Sequence, residues 1–181
     1  MKSMLLLLML SIGFFACKED DDEHNSGSAL KGCCGNNAID EAVGNGHIYV
    51  PNIFTPNGDG INDYILVFGH NITMVVEFEI RDKSGKVVYE IFDGDINDFV
   101  GGWDGKVDGV VVEGMYNVKV SVLAADGTNQ TLEGKVCNFV CDGVDVTEKV
   151  PGENCQFPVQ VDGDGFYCPI CESGEGVDCY E

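Results

Sequence analysis

The sequence predicts an all-β chain: one antiparallel β-sandwich followed by a cysteine-rich, disulfide-bonded C-terminal extension. Three observations carry that expectation. Between Gly46 and Cys141 the apolar residues come in short runs bounded by turn formers. Asp-Gly pairs recur at positions 59, 93, 104, 108, 126 and 142, and such pairs supply the left-handed backbone that tight connections between strands require. No stretch repeats its apolar residues at helical spacing. Residues 46–140 are enough for one small core, which suits a single sandwich.

In chain order the predicted strands are residues 47–50, 64–68, 74–80, 86–92, 116–124 and 131–140. Residues 74–80 alternate from Val76 onward, and 116–122 alternate throughout, which turns one face to a core and the other to water. Lys83-Ser-Gly-Lys86 and Ala125-Asp-Gly-Thr128 each separate two runs and read as hairpin turns, so Ser84 is a turn residue. Trp103, the only tryptophan, stands in Gly102-Trp-Asp-Gly105. Gly102 and Gly105 let the backbone turn sharply while the indole packs inward, and core packing is favoured over an exposed, sugar-stacking indole.

The densest set of turn formers is Pro51-Asn-Ile-Phe-Thr-Pro-Asn-Gly-Asp-Gly-Ile-Asn-Asp63. Together with Phe78, Ile80, Asp82, Gly85 and Tyr89, then Gly102-Trp-Asp-Gly105 and Gly114-Met-Tyr116, it resembles the gliding-motility-associated C-terminal domain of bacteria that carry a type IX secretion system. The resemblance covers residues 46–140. It implies a small Ig-like β-sandwich, often read by the secretion machinery as a sorting signal of type B, and it brings no catalytic residues. The family's domain normally closes a large protein, whereas here a cysteine-rich stretch follows and no large passenger precedes. That departure points to an adhesion or scaffold module delivered by another signal.

Such a signal stands at the N-terminus. Lys2 and the apolar run of residues 4–15 read as a signal peptide, because the run is too short to span a bilayer as a mature helix. Phe14-Phe-Ala-Cys17 resembles the lipobox of bacterial lipoproteins, which implies removal of residues 1–16 and lipidation of Cys17. Several acyl chains make a stable anchor where a single chain binds marginally. Lys18, Glu19, Asp20, Asp21, Asp22 and Glu23 resemble the signal that exports some lipoproteins to the outer face of the outer membrane, although acidic blocks are also common as solvated tails. Residues 17–45 are expected to form a flexible tether, and residues 141–181 a cysteine-rich tail.

Without residues 1–16 the chain keeps nine basic against 31 acidic side chains, a formal net charge of −22. That field excludes electrostatic binding of nucleic acid and favours cations and basic partners. Apart from Cys17 there are eight cysteines: Cys33, Cys34, Cys137, Cys141, Cys155, Cys168, Cys171 and Cys179. An even number in an exported protein implies disulfides, and the six from Cys137 onward lie where little apolar sequence exists to hold a shape without them. Spacing does not choose the connectivity, although the adjacent Cys33 and Cys34 suit distant partners. Cys168-Pro-Ile-Cys171, with Cys137 and Cys141 as a second pair, has the spacing of a zinc knuckle, but an oxidising compartment favours disulfides.

Residues 55–66 can be laid on a calcium loop of the EF-hand kind, with Asn57, Asp59 and Asp63 as ligands and Gly60 at the sharp turn. Thr55 and Leu66 stand where carboxylates belong. Calcium is thus the candidate cofactor, weighed against a turn in which Asn and Asp bond their own backbone; Gln160, Asp162, Asp164 and Gly165 repeat the half-pattern more weakly. For catalysis the inventory is poor: His24 lies in the tether, His47 opens a strand, His70 sits in a turn, and no serine or cysteine occupies a nucleophile motif.

The expectation is a non-enzymatic lipoprotein on the extracellular side of the outer membrane, serving adhesion, envelope assembly or motility-related display. Its partners are the membrane, through the lipid, and a surface protein or glycan. Two alternatives stand beside it: a type IX secretion cargo, and a glycan-binding accessory lipoprotein.

Overall fold

The computed structural model describes residues 37–98, 101–140, 155–172 and 174. Ten strands follow in order: β1 (Ile39–Val43), β2 (Gly46–Val50), β3 (Ile53–Phe54), β4 (Phe68–His70), β5 (Ile72–Arg81), β6 (Val87–Gly94), β7 (Lys106–Val107), β8 (Val110–Val111), β9 (Gly114–Ala124) and β10 (Asn129–Asn138). Among the described residues there is no α-helix. Sheets ordered β1-β2-β4 and β3-β10-β9-β5-β6 form the two layers of a sandwich, and β7-β8 is a separate small hairpin.

The core forms where the two sheets turn their apolar alternates toward each other. β9 buries Tyr116, Val118, Val120, Val122 and Ala124, meeting Phe78 and Ile80 of β5 and Ile48 and Val50 of β2. Each of the Val, Ile and Phe side chains among them contributes about 1.5–3 kcal/mol when fully removed from water. The two predicted hairpin turns are present. In the β5–β6 turn, the Asp82 carboxylate accepts from the Ser84 N–H at 2.8 Å, the Ser84 hydroxyl at 2.6 Å and the Lys86 N–H at 3.0 Å. In the β9–β10 turn, Asp126 accepts from Thr128 N–H at 2.9 Å and also from Asn45 N–H at 2.9 Å, tying this turn to the one between β1 and β2.

Several sequence expectations are corrected. The tether predicted over residues 17–45 is shortened by β1, which pairs with all of β2 and buries Ile39 and Val43. Its acidic centre, exposed between two buried ends, gave no alternation to read. Residues 64–68 form no continuous strand: Ile65 makes an isolated bridge to Trp103, and β4 begins at Phe68. In β5 the core residue is Val75, not Val76, because a bulge between Val75 and Glu77 shifts the phase. The sandwich is also not purely antiparallel, since β3 runs parallel to β10.

The described part of the C-terminal extension, residues 155–172, is seated on the sandwich. Tyr49, Leu66 and Phe68 form an apolar cluster against which Val161 and Tyr167 pack, and the Tyr49 and Tyr167 rings stack at 5.5 Å. Gly165 lies on the β4 backbone, so closely that a Cβ there would come 2.5 Å from the Gly69 carbonyl oxygen. Phe166 sits against His47 at 4.8 Å and His70 at 5.4 Å, two histidines that are register partners across β2 and β4.

Candidate functional site

The turn-rich segment starts just before β3 and continues from Thr55 as the loop that leads toward β4. Buried Thr55 donates its N–H to the Asn62 carbonyl at 2.9 Å and closes the loop. Inside it the Asp63 carboxylate accepts from Gly58 N–H at 2.6 Å and Gly60 N–H at 2.8 Å. Asn57 Oδ1 accepts from Asp59 N–H at 3.0 Å, and Asp59 Oδ1 from Ile61 N–H at 2.7 Å. Gly58 and Gly60 stand at φ +83° and +90° with open space around them, so the requirement for glycine is conformational. The loop therefore brings Asn57, Asp59 and Asp63 together, with oxygens turned onto their own backbone. Leu66, at the position of a bidentate glutamate, is buried in an apolar cluster. Asp162 makes the same kind of turn, accepting from Asp164 N–H and Phe166 N–H, each at 3.0 Å.

Beside this loop lies the turn of Trp103, which is 2% exposed. Its N–H donates to the Ile65 carbonyl at 3.1 Å, its carbonyl accepts from the Ile65 N–H at 3.0 Å, and its Nε1–H donates to the Lys106 carbonyl at 3.1 Å. The indole meets Tyr116 edge-on at 4.7 Å and Phe54 at 5.5 Å. A Cβ on Gly102 would run into the Leu66 side chain and lie 3.0 Å from Tyr64 Cβ. Gly105, at φ +73°, allows Asn138 to approach and donate from Nδ2 to the Gly105 and Val112 carbonyls, both at 2.9 Å. The loop and the Trp103 turn flank a depression of about 260 Å³ lined by Asn57, Asp63, Tyr64, Asp104, Lys106 and Val111, among others. Lys106 Nζ bonds Asp104 Oδ2 at 2.5 Å. Burial pushes the Asp104 carboxyl up, but the bonds from Lys106 outweigh it and hold it below its ordinary value.

The family model of the CHU_C Type IX secretion signal domain matches residues 48–137. Residues 48–137 belong to that family. A type IX secretion signal places the chain among secreted or cell-surface proteins. Comparison with curated proteins returns no match. The signal domain thus contains the whole Pro51–Asp63 loop and the Trp103 turn, and its match ends inside β10.

The signal domain also carries a charged sheet face that the sequence reading missed. Glu133, Lys119, Glu79 and Glu90 lie in one register row across β10, β9, β5 and β6. Lys119 Nζ bonds Glu77 Oε2 at 2.8 Å, and Arg81 grips buried Glu79 through Nε at 2.6 Å and Nη2 at 2.5 Å. The carboxylates of Glu77, Glu79 and Glu90 lie within 4.8 Å of one another. A groove of about 760 Å³ runs here, lined by Arg81, Asn117, Lys119, Glu133 and Lys135 among others. The outward alternates of β5 and β9 were the available signal; their cross-strand partners were not legible.

Of the predicted cysteines, Cys168 and Cys171 form a disulfide, which removes both from any zinc-ligand set. Cys137 and Cys155 are each disulfide-bonded as well. Cys17, Cys33, Cys34, Cys141 and Cys179 lie outside the described residues.

Proposed function

We propose that this chain is a non-enzymatic, surface-displayed protein of the outer membrane that uses its β-sandwich as a type IX sorting module. One observation carries the reading: the family match covers the sandwich from within β2 to within β10, and the motif side chains inside it serve the domain's architecture. Asn57, Asp59 and Asp63 hold a turn, and Trp103 fills the core. What a transport component would read is therefore the shape of the loop and of the Trp103 turn, not a reactive group.

The lipobox-like Phe14-Phe-Ala-Cys17 favours a second reading, in which lipid on Cys17 anchors the protein and the domain serves adhesion, envelope assembly or glycan contact. The deciding experiment locates the full chain in cells with and without a working type IX system, by protease accessibility and surface labelling. Retention inside the cell when the system is absent supports the sorting reading. Unchanged surface display refutes it and supports the lipoprotein route.

A further inference from the structure

The signal domain contains a seat that a segment from outside the domain fills. Asn52, just before β3, exchanges two hydrogen bonds with Gln156: its N–H to the Gln156 carbonyl at 3.2 Å, and Gln156 N–H to Asn52 Oδ1 at 2.9 Å. Further along, Val159 N–H reaches Asn62 Oδ1 at 3.0 Å, and the Tyr49 hydroxyl reaches the Phe157 carbonyl at 3.4 Å. Between these bonds Cys155 and Phe157 sink into a cluster with Ile53, Cys137 and Phe139. Backbone groups are thus held by two asparagine amides, while side chains two residues apart enter an apolar surface. That combination recurs in the recognition of extended peptides, where main-chain bonds supply affinity and alternate side chains supply specificity.

The division of roles follows the family boundary except at Phe139, which lines the seat two residues past the match. Tyr49, Asn52, Ile53 and Asn62 all lie within the matched residues 48–137, whereas the segment they hold lies beyond them. Asn52 and Asn62 belong to the turn-rich loop segment, and Asn62 is buried at φ +50°, so its amide is fixed in place facing the strap. We propose that this face of the signal domain is a docking seat for an extended peptide, and that residues 155–160 occupy it in cis as a strap. The segment that fits is uncharged, like residues 155–160 themselves, with two apolar side chains separated by one residue. The proposal stands on the strap geometry and is independent of the cellular route.

The test uses the full chain with a protease recognition sequence placed between residues 144 and 149, cleaved and kept in dithiothreitol. The probe is a dye-labelled synthetic peptide of residues 155–166 with Cys155→Ser, followed by fluorescence anisotropy. The cleaved chain is expected to bind it saturably, and the uncut chain about a hundredfold more weakly, because a tethered strap competes at high effective concentration. Asn52→Ala or Asn62→Ala in the cleaved chain weakens the peptide about tenfold, the loss of one good hydrogen bond. Phe157→Ala in the peptide, which cannot disturb the folding of the protein, weakens it at least as much, while Glu133→Gln on the charged face changes nothing. Equal binding by cut and uncut chains, or no saturable binding with the β circular-dichroism signal retained, overturns the proposal. So does loss of that signal on cleavage and reduction, since the segment is then a fixed part of the core.

Discussion

Replacing Trp103 with alanine tests the architecture of the signal domain at its largest buried side chain. Truncating a buried aromatic costs about 3–5 kcal/mol. Here the indole also meets Tyr116 edge-on at 4.7 Å and Phe54 at 5.5 Å, and such pairs add about 0.5–1.5 kcal/mol beyond burial. The Lys106 carbonyl loses its 3.1 Å bond from Nε1–H, a further loss of about 1 kcal/mol. These terms overlap, and they place Trp103→Ala at the upper end, about 5 kcal/mol, against the roughly 5–15 kcal/mol that holds a domain folded. Trp103→Phe keeps a ring in the site but loses the indole bond and part of the volume, so about 2 kcal/mol is expected. Urea unfolding followed by far-UV circular dichroism measures both, since Trp103 is the only tryptophan and its emission vanishes with it. A Trp103→Ala variant within about 1 kcal/mol of wild type, the level of an ordinary substitution, refutes the reasoning. So does a Trp103→Phe variant as unstable as the alanine.

Asp63→Ala removes the acceptor of two loop N–H groups and is expected to cost about 1.5–3 kcal/mol. Because those oxygens are already engaged, millimolar calcium should leave the wild-type melting temperature where it is in chelator; a rise would return Asn57, Asp59 and Asp63 to the cation-ligand reading. Asp82 sits below its ordinary carboxyl value, chiefly through the Ser84 hydroxyl bond, and Asp126 through the Thr128 N–H and hydroxyl. A depressed folded value means the stabilisation is complete above the unfolded value of 3.8 and is lost as pH falls through the folded one. Thermal melts toward acid should therefore drop less steeply in an Asp82→Asn, Asp126→Asn double variant than in wild type, and an identical drop would contradict this. Cys17→Ser should move the protein from the detergent phase to the aqueous phase in phase partitioning, and continued partitioning into detergent would remove the lipid anchor from the account.

Local chemistry was enough for the parts of this protein that depend on a few consecutive residues. Asp-Gly pairs, the alternation of 116–122 and the glycines beside Trp103 determined the all-β class, the two hairpin turns and the buried indole, because backbone conformation and side-chain direction in a strand are short-range properties. Partners and phase are not. Which strands lie side by side depends on residues far apart in sequence, so the parallel β3–β10 pair and the Glu133–Lys119–Glu79–Glu90 row appeared only with the fold. Ile39 and Val43 count as core residues only once β2 and β10 are beside them, which is why β1 passed for a tether. The bulge that makes Val75 the core residue, and the seat that Asn52 and Asn62 offer to residues 155–160, were likewise settled by tertiary structure: each is a contact between distant segments, and such contacts are selected by the packing of the whole domain.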